Sequence, residues 1–172
     1  GADKLVESFY CAYNLPVVTL RPFNTYGPRQ SARAVIPTMI MQVLTRDVLK
    51  LGNLQASRDF TYVADTVAGF LKVAETPGLE GQTINLGTGQ EILIGELAQK
   101  IIALSGRRVA IETDAARLRP EKSEVQRLLS DNRKALTVMG WAPQVTLDEG
   151  ISRTMRWVSD HLDLYSPDRY IK

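Results

Sequence analysis

The chain has 172 residues, 21 basic and 19 acidic side chains, a formal charge of +2, and is 44% hydrophobic and 23% charged. A chain of this length and balance folds, burying about two-thirds of its unfolded surface, which excludes dominant disorder. The single cysteine, Cys11, excludes a disulfide scaffold, no apolar run is long enough to span a bilayer as a helix, and the small basic surplus gives no reason to expect a nucleic-acid partner.

The sequence opens Gly1-Ala2-Asp3-Lys4 with its apolar pattern already running at Leu5, as a piece of a longer chain would. Residues 2–14 predict a helix with two stripes: Leu5, Phe9 and Ala12, then Val6, Tyr10 and Tyr13. Such wide coverage fits a core on one side and a partner helix on the other, or a single deep helix. Leu15-Pro16 ends it, and the unbroken run Val17 to Leu20 predicts a strand covered on both faces, as in a parallel sheet. Residues 21–29 form a polar loop, placed where open α/β sheets put their ligands.

Residues 36–46 predict a helix with Pro37 in its first turn, 48–51 a short strand, and 58–63 an extended segment. A helix over 64–75 is expected to face Val67, Phe70, Leu71 and Ala74 inward, and Gln82 to Leu86 reads as a strand. Leu97, Ile101 and Leu104 define a helix ended by Gly106, with Leu93 at the capping position. Arg108 to Glu112 is a strand by alternation, 119–123 a loop, and 132–139 a short helix closed by Gly140. Thr146 and Glu149 predict a reciprocal cap for a last helix marked by Leu147, Ile151, Met155, Val158 and Leu162, and the tail from Ser166 is surface.

Three loops carry chemistry: Arg21, Asn24 and Arg29; Arg58 and Asp59; Arg119, Ser123 and Glu124. A guanidinium fork matches phosphate oxygens in two-bonded geometry, so converging arginines would suit a diphosphate. Each alone reads more readily as a surface ion pair. No metal site is expected, because His161 and Cys11 leave no cluster with liganding spacing.

Five segments in order carry a resemblance: Gly1 to Lys4, Arg21 to Gln30, Arg58 to Val63, Asn85 to Gly89 and Arg119 to Val125. The sequence resembles the C-terminal half of an extended short-chain dehydrogenase/reductase of the nucleotide-sugar epimerase/dehydratase family, closest to the sugar-nucleotide 4,6-dehydratases. The resemblance implies an α/β fold: the C-terminal part of a Rossmann-type parallel sheet plus a small α/β substrate-binding lobe, with the N-terminal cofactor half absent. Residues 1–30 would close the Rossmann-type domain, and 31–172 would form mostly the substrate lobe, with 58–90 returning to the Rossmann domain.

By the same resemblance, Lys4 is the lysine of a Tyr-x-x-x-Lys pair whose tyrosine precedes Gly1. A cation there favours a phenolate general base and holds the nicotinamide ribose. Pro22, Phe23 and Asn24 lie near the nicotinamide, with Asn24 also on the substrate. Arg58 grips the diphosphate, Arg119 makes a second phosphate or ribose contact, and Glu124 accepts from ribose. The segment Ala34 to Pro37, Val35 included, covers the base. The implied cofactor is NAD or NADP, bound mainly by the missing half, and the implied substrate is a UDP-, GDP- or dTDP-hexose. A separate N-terminal chain, a homodimer through the Lys4 helix and a cytoplasmic location are also implied, with no nucleic acid and no membrane.

The expected activity is a redox-assisted 4,6-dehydration, with this chain inactive alone. A 4-epimerase would use the same lysine and clamp, and an inactive dimerisation scaffold is the alternative of another class. The dehydratase is preferred because Arg119 to Val125, followed by Leu128 to Asp131, resembles GDP- or UDP-hexose dehydratases.

Overall fold

The computed structural model describes residues 1–118 and 125–165. In chain order the elements are α1 (Ala2–Tyr13), β1 (Thr19–Pro22), β2 (Thr25–Tyr26), α2 (Val35–Thr45), β3 (Val48–Leu51), β4 (Ser57–Arg58), β5 (Thr61–Tyr62), α3 (Val63–Glu75), β6 (Thr83–Leu86), β7 (Ile92–Leu93), α4 (Ile94–Ser105), β8 (Ala110–Thr113), β9 (Arg127–Leu128), α5 (Arg133–Met139) and α6 (Leu147–Asp160). They divide into two compact units. The first comprises 1–25, 59–90 and 129–145, and the second the described residues of 26–58, 91–128 and 146–172.

In the first unit β1 and β6 run parallel, in register from Thr19 opposite Thr83 to Pro22 opposite Leu86. Ile84 and Leu86 of β6 pack with Leu79, Ala135, Met139 and Trp141, and Val18, Leu20, Val73 and Val138 close the cluster. The expected strand at 17–20 therefore starts two residues later, at Thr19, and it is not covered on both faces: Thr19 and Leu20 are half-buried, Arg21 and Pro22 exposed. α1 forms as predicted but buries no residue. Leu5, Phe9 and Tyr13 are exposed, while Val6 and Tyr10 are half-buried, so the deep-helix expectation is overturned.

α3 turns the opposite way from its expectation. Val67, Phe70 and Leu71 are half or more exposed, and Asp65, Thr66 and Gly69 face inward. The reason is polar: Asp65 takes the amides of Gln144 and Val145, each at 3.0 Å, and its carbonyl takes the Trp141 indole N–H at 3.1 Å. A buried carboxylate with backbone donors outweighs an apolar stripe in orienting the helix, because leaving either side unpaired is costly.

In the second unit β3 and β8 are parallel, and β4 lies between β7 and β9 in a three-stranded sheet. α2 packs on α4, α6 and β3, burying Ile36, Met39, Ile40, Val43, Leu49, Leu97, Ile101, Ile151 and Val158. Gln42, buried among them, satisfies both of its amide functions on the Lys50 backbone, at 2.9 and 3.3 Å. α4 and α5 end at Gly106 and Gly140 as expected. Glu96 accepts from the Leu93 amide at 3.3 Å, supporting the start of α4 where the capping residue has no polar side chain. Thr146 caps α6, but Glu149 takes Arg153 instead of reaching back. The loop expected at 119–123 and the tail from Ser166 lie outside the described residues.

The expectation of a partial Rossmann-type sheet with an absent cofactor half is corrected here. A Rossmann-like α/β arrangement runs from α1 onward, with its short strands shared among small sheets and each unit closing a core of its own. No helix among the described residues is long and apolar enough to cross a membrane.

Candidate functional site

Lys4 stands in the first turn of α1, exposed, with Nζ donating to Glu7 at 2.5 Å. The hydrogen bond and charge of Glu7 raise its pKa above the ordinary lysine value. Beside it Asp3 accepts Arg21 Nε and Nη2 at 2.8 and 2.5 Å, pinning the start of α1 to β1. Arg21, grouped with the phosphate-binding arginines on sequence, thus has its fork on a carboxylate. A cleft of about 390 Å³ lies along this edge, lined by Lys4, Glu7, Tyr10, Thr19, Arg21 and neighbours.

β1 runs on into Pro22-Phe23-Asn24. Pro22 is exposed, and Phe23, half-buried, donates its amide to the Leu86 carbonyl at 2.8 Å. Asn24 is half-buried, its side-chain amide donating to the Asp59 carbonyl at 2.9 Å and its carbonyl accepting the Thr61 amide at 3.2 Å. The turn after β1 is therefore fixed to the Asp59 segment. Asp59 itself, expected to orient a ligand, is fully buried and faces protein donors: Thr88 N and Oγ1, Gly89 N and Ser130 N. Its place in the loop was legible, whereas its role was decided by burial.

In the second unit Arg58 ends β4, half-buried, with Nη1 on the Ser57 carbonyl at 2.8 Å. Val35 opens α2 half-buried, and Ile36 and Pro37 behind it are buried, so the segment expected as a base cover is a helix start. Arg29 is exposed with φ 68°. Arg119, Ser123 and Glu124 lie outside the described residues.

Two side chains carried no signal in the sequence. Arg127 of β9 forms a bidentate pair with Glu91, Nε at 2.9 and 2.8 Å and Nη2 at 2.7 Å, and the Ser57 hydroxyl joins the same carboxylate at 2.7 Å. Arg127 and Ser57 hold the Glu91 carboxyl down to about 2. Charges 36 residues apart have no common periodicity, and only strand register brings them together. Among the described residues, no group of three His, Cys, Asp or Glu could hold a metal ion.

The sequence model of the family described as GDP-mannose 4,6 dehydratase matches residues 1–154, and the chain belongs to that family. It is 33% identical over 163 residues to a mouse dTDP-D-glucose 4,6-dehydratase, covering 91% of this chain and 45% of that protein. Pal from Bacillus thuringiensis superposes with a TM-score of 0.85 at 36% identity, over 93% of this chain and 51% of its own. A Bacillus cereus UDP-glucuronic acid 4-epimerase, solved with UDP-glucuronic acid and NAD, gives 0.84 at 26% identity, over 92% and 50%.

These matches correct the expectations built on a C-terminal fragment. The family match starts at residue 1 and solved relatives align over 92–97% of this chain, so family membership holds along the chain as a whole. Nothing in them supports a separate N-terminal partner chain, or an inactive fragment whose cofactor is held mainly by a missing half. The chain spans about half the length of the curated relatives it matches.

Proposed function

We propose that this chain is a catalytic domain of nucleotide-sugar dehydratase/epimerase type, acting on a nucleoside-diphosphate hexose with NAD. The observation that carries the reading is the family match over 1–154, which takes in every residue assigned a role on sequence. Arg58 meets the diphosphate with its planar fork. Arg119 makes a second contact to phosphate or ribose, Glu124 accepts from ribose hydroxyls, and Val35 lies at the base. Asn24, with its amide anchored on Asp59, presents the remainder of its side chain to substrate.

The groups present suit NAD. Lys4 is exposed and carries three N–H donors, one of them on Glu7, which leaves donors for ribose hydroxyls. Phe23 and Pro22 offer an apolar turn tied to β6. When bound, NAD supplies a hydride acceptor and donor. Lys4, a cation whose pKa Glu7 raises further, favours the anionic form of a neighbouring general base. Dehydration at C5–C6 is preferred because the matching family model is that of a 4,6-dehydratase. C4 epimerisation is the second reading, on the likeness to the Bacillus cereus enzyme.

The test is calorimetric titration with UDP, GDP and dTDP. At least one binds saturably, and Arg58→Ala weakens it by about tenfold or more. Binding untouched by that substitution, or no binding by any of the three, overturns the diphosphate reading. Incubation of the matching nucleotide hexose with NAD then separates a 4-keto-6-deoxy product from a C4-inverted one.

A further inference from the structure

β4 is two residues long, and a strand so short has too few ladder bonds to aim a long side chain by itself. It is held from both sides. Ser57 and Arg58 lie opposite Leu93 and Ile92 of antiparallel β7, and opposite Arg127 and Leu128 of parallel β9. Side chains alternate across a strand, so Ser57 and Arg127 share one face while Arg58 and Leu128 share the other.

On the Ser57 face a single carboxylate joins all three strands. Glu91, leading into β7, accepts the Ser57 hydroxyl from β4 and the Arg127 fork from β9. Ser57 in turn uses its carbonyl to accept Arg58 Nη1 at 2.8 Å. The contacts form a relay: Arg127 fixes Glu91, Glu91 fixes the Ser57 hydroxyl, and the Ser57 carbonyl fixes the Arg58 guanidinium. Arg127 is 64% exposed and Glu91 31%, and ion pairs this open contribute little to stability. What the arrangement supplies is geometry, since a bidentate fork admits few orientations.

We propose that Glu91, bridging Ser57 and Arg127, is a positioning residue that sets the direction in which β4 presents Arg58 to a diphosphate. The inference rests on the reading of Arg58 as the diphosphate-binding arginine.

The experiment measures calorimetric affinity for UDP, GDP and dTDP, each beside its own nucleoside, in the parent chain, Glu91→Ala, Ser57→Ala, Arg58→Ala and the double variant Arg58→Ala/Glu91→Ala. Glu91→Ala weakens the diphosphate roughly threefold to tenfold and leaves the nucleoside unchanged. Ser57→Ala acts in the same direction, and in the Arg58→Ala background Glu91→Ala adds nothing. Glu91→Gln, which keeps an acceptor for the hydroxyl, restores part of the loss. Circular dichroism melts accompany each variant, and if Glu91→Ala does not fold, Ser57→Ala decides. Loss with Arg58→Ala but none with Glu91→Ala or Ser57→Ala overturns this inference and leaves the arginine reading standing. Equal loss for diphosphate and nucleoside, or additive loss in the double variant, overturns it as well. No loss with Arg58→Ala, or no binding to the parent chain, overturns the arginine reading and this inference with it.

Discussion

Asp59 accepts both the amide and the hydroxyl of Thr88, at 2.9 and 2.6 Å, from a position with no solvent exposure. The same carboxylate takes the amides of Gly89 and Ser130 at 2.9 and 3.2 Å, so it ties the loop after β6 to the approach to α5. Asp59→Ala strands buried backbone donors, at about 1–3 kcal/mol each. The expected loss is roughly 3–5 kcal/mol, read from the urea midpoint. Thr88→Val removes only the hydroxyl and is expected to cost about 1 kcal/mol. An Asp59→Ala midpoint close to that of the parent would show that the network is not a keystone.

Gly69 brings α3 against β6. A methyl group there would come within 2.6 Å of Leu86 Cδ1 and 3.2 Å of the Trp141 indole nitrogen. In an exposed helix, Gly→Ala gains about 1 kcal/mol. Here overpacking opposes that gain with about 1–3 kcal/mol, and it also presses on the indole bond to Asp65. Gly69→Ala is expected to lower the melting temperature, and a rise would mean that β6 yields freely.

Tyr10 docks α1 through Gly81. A Cβ at Gly81 would lie 2.3 Å from the Tyr10 ring, and φ there is 74°. Because α1 buries no residue, its attachment depends on few contacts such as this one and the Asp3–Arg21 pair. Gly81→Ala is expected to speed amide hydrogen exchange across α1 while α5 is unchanged. Uniform protection in both helices would contradict this.

Two carboxyls link stability to acid. Glu91 is held at about 2 by Arg127 and Ser57, against an ordinary 4.5, and Asp131 at about 2 by Arg133, against 3.8. Between these values the unfolded chain binds more protons than the folded one, so stability falls as pH falls. Their contribution is complete above pH 4.5 and lost progressively towards pH 2. Because both pairs are open to solvent the contribution is small, and replacing Glu91 with Gln is expected to flatten that part of the stability curve only slightly. An identical acid slope in parent and variant would refute the assignment.

Much of the local structure was legible. Pro37 in a first turn, the Gly106 and Gly140 stops, and the run Val48 to Leu51 each mark an element where the structure has it. These signals are local, acting through backbone preferences of one or a few residues. The face of α3 was not legible, because periodicity identifies an apolar stripe without saying whether the partner is there to cover it. The stripe Val67, Phe70 and Leu71 stays exposed, while the polar Asp65 is drawn in by amides nearly eighty residues away.

The candidate site divides along the same line. The side chains proposed to carry the chemistry, Lys4, Asn24 and Arg58, were picked out by residue type, order and family likeness, since a lysine or a guanidinium brings its charge wherever it stands. What each one faces was settled by folding. Arg21 meets Asp3, Asp59 meets backbone amides, and Glu91 gathers Ser57 and Arg127 from two other strands. A linear sequence states composition and local preference. Pairing between distant charges depends on strand register and burial, which exist only once the chain has closed on itself.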